Sequence, residues 1–391
     1  MRSRRNYSSS SFLFLGYLPV LLVLAAVWAQ SIAFAQEGQS KLKLDTGQEI
    51  WEAACAGCHG VDGAGQPVST LGFEPPATFP DFTDCNGSTR ESTLQWSSVI
   101  HDGGRSRSFV EIMPSFGPRE TPALSDEQIQ KVIAYARKFC EEDPKWPSGD
   151  FNFARPMVTD KSFPEDEAVL LTSINTDGTG FDHELIVEKR FGAANNFEVR
   201  FRGAFAQTPA GSWIGAVGDT SLELKRVLFL RNWSGSILTW GNELNIPTGD
   251  SRRGLGSGVT SYESFLTFGQ ILPKTSFIQL EAGAEAPFRR HQSPSEVFLR
   301  TAVGKAFMQD RGFGRAWSPG VELAATRAFA SGRSWTLDLV PQLQMTLSKR
   351  QHIRLGMGVT VPVLNTTART AQAMFYLLWD TFDGGLFEGW R

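Results

Sequence analysis

The sequence predicts a multidomain chain, with a small all-α domain followed by an antiparallel β-barrel of transmembrane type with about twelve strands. Three observations carry this. All four cysteines, Cys55, Cys58, Cys85 and Cys140, lie in the first 140 residues of a 391-residue chain. From about residue 168 onward, apolar and polar residues alternate with period two over runs of ten or more. Ahead of both stands a basic, then apolar, leader.

The leader comes first in the chain. Arg2, Arg4 and Arg5 precede an apolar run from Phe12 to Trp28, and Ala33-Phe34-Ala35 offers a small-x-small cleavage site before Gln36. Residues 1–35 therefore read as a secretory signal peptide, and the rest as a chain exported to an oxidising compartment. The charge is uneven. Residues 37–150 hold ten Lys and Arg against eighteen Asp and Glu, and nothing in the chain is basic enough to suggest nucleic acid. The run Asp143–Asp150, with two prolines and a glycine, breaks regular structure. The expected division is thus a domain at 36–143, a linker at 144–167 and a barrel at 168–391.

Within the first domain, Asp45 or Thr46 can cap a short helix that ends at Ala54-Cys55-Ala56-Gly57-Cys58-His59-Gly60. Ser125, with Gln128 three residues on, caps a second helix whose apolar face is Ile129, Val132, Ile133, Ala136 and Phe139. The region between is rich in glycine and proline and reads as having little regular structure, which suggests that something other than side chains fills the core. In Cys-x-x-Cys-His, two thiols can add to haem vinyl groups while the adjacent imidazole ligates iron. Zinc lacks a second ligand pair here, and a redox dithiol lacks its βαβ setting. Cys55 and Cys58 are therefore the expected covalent links to one haem c, with His59 as an iron ligand. Met113, the only methionine between residues 37 and 150, sits before Pro114 in a loop and is the candidate for the opposite axial position.

This segment resembles the class I c-type cytochromes over about one hundred residues. The resemblance is carried by Gly47 and Trp51 ahead of Cys55-x-x-Cys58-His59-Gly60, by Met113-Pro114, and by Tyr135 on the final helix. It implies that Gly47 and Trp51 pack across the last helix near Tyr135, that His59 is the proximal ligand and that Met113 is the distal one. Pro67, Pro75 and Pro76 all compete for the role of the proline that receives the imidazole hydrogen bond. The remaining pair, Cys85 and Cys140, is the disulfide candidate for an oxidising compartment. A His/Met pair leaves no open position on iron, which favours electron transfer over catalysis, so an electron carrier rather than an enzyme is expected.

In the second domain, Trp335, Leu337, Leu339, Leu343, Met345 and Leu347 fall on one strand face, with Thr336, Asp338, Gln342, Gln344 and Thr346 on the other. Roughly twelve such runs start near residues 168, 183, 196, 218, 235, 262, 275, 296, 319, 334, 351 and 371. Their length suits a tilted bilayer crossing, and the polar face suits a water-facing lumen. The pattern resembles bacterial outer-membrane barrels, and the whole layout resembles porin-cytochrome fusions. A cytochrome domain more than about 30 Å across cannot enter a barrel of this size. An even strand count then places it at the periplasmic mouth. The expected function is periplasmic electron transfer by a monohaem cytochrome tethered in outer-membrane lipid, with periplasmic redox proteins as donor or acceptor. The alternatives are an electron conduit across the outer membrane and a solute channel with an accessory haem domain.

Overall fold

The computed structural model describes residues 44–140, 146–308 and 316–390. The expected signal peptide lies outside the described residues. In the N-terminal region the chain opens with Gly47–Ile50, continues through a π-helical turn at Trp51–Cys55 and ends in Ala56–His59. Thr46 and Glu49 form a reciprocal capping box at its start. The last helix, Asp126–Arg137, begins at the expected Ser125/Gln128 capping box and buries Ile129, Val132, Ile133 and Ala136. Between them the chain is more regular than its composition suggests. Ser92 and Gln95 form another capping box that starts a ten-residue helix, Thr93–Asp102.

The rest of the chain forms one closed antiparallel sheet. Its strands are β1 (Glu167–Asn175), β2 (Gly180–Phe191), β3 (Asn195–Gln207), β4 (Trp213–Arg231), β5 (Ser236–Ile246), β6 (Ser261–Leu272) and β7 (Ser276–Pro287). They continue with β8 (Glu296–Lys305), the two-residue β9 (Phe307–Met308), β10 (Ala316–Ala328), β11 (Thr336–Thr346), β12 (Ile353–Leu364) and β13 (Gln372–Asp380). Each of the twelve long strands pairs with its neighbours in chain order, and β13 closes the cylinder on β1 through pairs such as Ser173↔Met374.

The alternation along each strand is inverted relative to a soluble barrel. In β4, Glu223 and Lys225 are buried at 1% and 4% exposure, while Leu224 between them is 53% exposed. Leu170, Leu185, Phe201, Leu266, Leu299 and Leu323 also face outward. Two aromatic groups bound this apolar belt. Phe191, Phe229, Trp233, Phe307 and Trp317 lie toward one rim, and Phe205, Trp213, Phe288, Phe329 and Trp335 toward the other, all exposed. Apolar outside, charged inside and aromatic at both rims is the solution for a barrel in lipid. Among the described residues no helix is long and apolar enough to cross a membrane, a statement that does not concern strands.

Four connections on the first rim are short, 192–194, 232–235, 273–275 and 347–352, while the second rim has longer ones, among them 247–260 and 288–295. The N-terminal region sits on the short-turn rim. Arg107 donates to the carbonyl of Arg350 in the 347–352 turn, Arg90 pairs with Asp166, and Asn232 Nδ2 donates to Trp146 O at 3.1 Å.

Residues 144–167 were expected as a linker, with no further structure assigned to them. Instead, residues 149–166 enter the barrel from the short-turn rim, reach its middle and return to start β1. Arg155 N–H donates to Gln344 Oε1 at 3.0 Å, Met157 N–H to Glu322 Oε1 at 2.6 Å, and Asp160 N–H to Glu281 Oε2 at 2.8 Å. On the way in, Phe153 stacks on Phe277 with ring centres 4.8 Å apart. On the way out, Thr239 Oγ1 donates to Ser162 O at 2.6 Å. This segment is a plug made of the chain itself. Twelve strands enclose more space than their own side chains fill, and the plug supplies the missing atoms.

Candidate functional site

The Cys-x-x-Cys-His turn is built by the chain folding back on itself. Gly60, at φ +76°, ends the helix in a conformation that a side chain would strain, and lets the chain turn. Gly65 N–H then donates to His59 O at 2.9 Å and Gln66 N–H to Cys58 O at 3.0 Å, which satisfies carbonyls left free at the helix end. Trp51 Nε1–H donates to Gly60 O at 3.0 Å and so pins the turn to the first helix. The first and last helices cross where glycine permits: a Cβ at Gly47 would lie 2.8 Å from Tyr135 Cβ and collide with the carbonyl of Lys131. Trp51 packs beside Tyr135, ring centres 6.3 Å apart.

Gly47→Val is therefore expected to destabilise this domain by about 1–3 kcal/mol, because the clash is with backbone that cannot rotate away. Urea unfolding followed by the tryptophan emission of the domain reads it. An unchanged midpoint would mean that the helix crossing is looser than the structure shows.

His59 is placed among aromatic rings, stacked on Phe79 at 5.1 Å and edge-on to Phe82 at 5.2 Å. Its Nδ1 is buried without a hydrogen-bond partner. None of Pro67, Pro75 and Pro76 therefore supplies the imidazole's hydrogen bond in this structure. Burial pushes the His59 imidazole down to about 4, so it is neutral at physiological pH and keeps a lone pair for a metal. Burial, and secondarily the neighbouring Cys58, pushes the Cys55 thiol up to about 12. Cys58 is exposed. Met113 packs against the same apolar cluster as Cys55, Phe82 and Trp96, so the fold gathers the two thiol positions, the imidazole and the thioether in one small domain.

These residues fit haem. The motif's histidine is neutral, carries an orphaned buried nitrogen and lies among flat apolar rings. Cys55 and Cys58 would hold the ring, His59 and Met113 would be the side chains offered to its iron, and the group would supply a one-electron redox centre. Cys85 and Cys140 form a disulfide with Cα atoms 5.4 Å apart, tying the loop after Phe82 to the end of the last helix. Closing a loop of sequence separation 55 stabilises by about 4 kcal/mol in the chain-entropy account.

Fold and site together define a c-type cytochrome domain fused to a transmembrane barrel of the outer-membrane type. Residues 43–135 match the family described as cytochrome C oxidase, cbb3-type, subunit III. No curated protein matches the sequence. Among solved structures the chain is similar to the KdgM porin, at 13% identity, TM-score 0.40, 55% of this chain and 98% of that one. It is also similar to an outer membrane channel from Pseudomonas putida F1, at 14% identity, TM-score 0.40, 58% of this chain and 99% of that one.

Sequence reasoning left the lumen network unassigned. Lys225 lies 3.3 Å from Glu223, 3.6 Å from Glu188 and 3.7 Å from Glu198. Arg200 bridges Glu223 and the plug's Asp160 at 3.1 and 2.9 Å, and Arg155 of the plug bonds Glu188 at 2.7 Å. Glu322 accepts from the backbone of Met157, Val158 and Thr159 and from the Thr159 hydroxyl. Glu322 and Glu281 on the barrel wall take their N–H donors from the plug backbone, a pairing that nothing local in the sequence signals.

Proposed function

We propose that the protein is a monohaem electron carrier held at the periplasmic face of the outer membrane by its own barrel, exchanging electrons with soluble periplasmic redox proteins. Cys55 and Cys58 attach the haem, and His59 and Met113 ligate its iron. The observation that carries this reading is the seating of the Cys-x-x-Cys-His domain on the short-turn rim of a barrel whose lumen is filled by residues 149–166. Short turns mark the periplasmic side of outer-membrane barrels. The plug argues against the solute-channel alternative, because buried ion pairs and backbone hydrogen bonds occupy the path. It also argues against a conduit, since it puts peptide and fixed charge between the haem domain and the far rim.

The test uses intact cells. A membrane-impermeant reductant added outside is expected to leave the haem oxidised, while the same reductant added after the outer membrane is permeabilised reduces it. Reduction in intact cells would replace this reading with the conduit.

A further inference from the structure

We propose that the barrel holds the distal ligand in place: the 347–352 turn clamps the loop that carries Met113, with Arg107 donating to the Arg350 carbonyl and the Arg350 side chain donating to Ser108. The inference rests on the haem reading above and deepens it. The Met113 loop leaves the Thr93–Asp102 helix at Gly103 and returns at Phe116. Its returning limb is anchored inside the cytochrome domain, with Ser115 Oγ donating to His101 O at 2.7 Å and Phe116 N–H to Ile100 O at 2.9 Å. Its outgoing limb, residues 104–109, supports Met113 directly, since Gly104 N–H donates to Met113 O at 3.1 Å and Phe109 N–H closes onto Gly104 O at 2.9 Å.

That outgoing limb contributes nothing to the apolar core of its own domain. Within the domain it is held by Ser106, whose Oγ donates to Gly103 O at 2.7 Å and reaches Ser98 O at 3.5 Å, and its other anchors are on the barrel. The Arg107 side chain is fully buried, 1% exposed, and donates to the backbone carbonyl of Arg350. Arg350 answers by donating to Ser108 O at 3.2 Å and covering the Phe109 ring at 4.7 Å. Arg350 is itself fixed by the C-terminal tail, through Asp383 O at 3.2 Å and Glu388 at 3.0 Å. Part of the support for Met113 thus crosses from one domain to the other, through residues 107–109. Loss of docking removes that part, and the thioether, a weak neutral donor on a loop, is then held less firmly. Docking on the barrel therefore determines whether the sixth position of the iron is closed.

The test uses the full chain, purified in detergent with its haem. Covalent attachment is read on haem-stained denaturing gels, barrel folding by heat-modifiable migration, Met ligation by the weak far-red absorption of the ferric protein, and openness by carbon monoxide binding to the ferrous protein. Arg350→Ala and Arg107→Ala are expected to keep covalent haem and a folded barrel, to lose most of the far-red band, and to bind carbon monoxide about tenfold more readily, the scale on which outer-shell partners tune a metal site. Arg107→Lys, which keeps one donor for the Arg350 carbonyl, should restore most of the band. If an alanine variant fails to fold, Arg350→Lys, which retains the charge but not the two-pronged contact, decides by the same two spectra. Variants with folded barrel and covalent haem whose band and carbon monoxide resistance equal those of the parent would overturn the clamp. Parent protein without haem would instead overturn the reading on which it rests.

Discussion

Replacing residues 150–164 with a short glycine-serine link is expected to convert a barrel that passes no steady current into an open pore. In planar bilayers the parent chain should show no conductance steps, and the replaced chain should show stable ones. The reason is geometric. Eight strands are filled by their own side chains and sixteen leave a channel, so twelve need added matter to close. Here that matter is bound tightly: Phe151, Phe163, Lys161 and Glu165 of the plug are each 3% exposed or less. Parent protein that conducts as well as the replaced form would mean that the plug does not fill the path, and would return the solute-channel reading to the front.

Lys225→Met should be the most damaging single change in the lumen. It leaves Glu188, Glu198 and Glu223 facing one another with one cation fewer, in surroundings where none of the three is more than 2% exposed. Removing one partner of a buried ionic cluster typically costs about 3–5 kcal/mol, because the remaining charges keep their desolvation cost and lose its compensation. Refolding into lipid vesicles over a urea series, read by heat-modifiable migration, measures it. A midpoint shift worth less than about 0.5 kcal/mol, the ordinary scatter of surface substitutions, would show that water solvates this cluster more than the structure indicates.

How much of this the sequence reveals depends on which physical constraint acts at each place. The strands stand out because lipid outside and a polar lumen inside force strict alternation: the run expected near residue 262 begins at Ser261, and that near 296 at Glu296. The strand expected from about 218 begins at Trp213, since Gly215, Ala216 and Gly218 blur the two faces, while Gly215 and Ala216 still pair with Phe205 and Ala204 of β3. The haem motif is readable because its chemistry is local, five residues on one turn. The plug is not. Residues 149–166 have no periodicity, and Pro156 and Pro164 among polar residues look like a linker. Their structure comes from partners more than one hundred residues away, such as Glu281 and Glu322. The helix at Thr93–Asp102 is a different case: the signal, Ser92 three residues before Gln95, was present, but it was outweighed by the glycine and proline around it. The disulfide came from the pair of cysteines left over in an oxidising compartment, the crossing at Gly47 from resemblance, and the surroundings of both only from the fold.

The proposed function requires one chain to carry both a covalently bound, His/Met-ligated haem and a lipid-embedded barrel. The deciding measurement is the oxidised and reduced visible spectrum, with a haem-stained denaturing gel, of the protein recovered from the outer-membrane fraction, compared with Met113→Ala. Covalent haem is expected in that fraction, with a low-spin spectrum and a far-red band that disappears in Met113→Ala while the haem stays attached. Covalent haem found only in the soluble periplasm would contradict the membrane barrel, and outer-membrane protein without covalent haem would contradict the cytochrome.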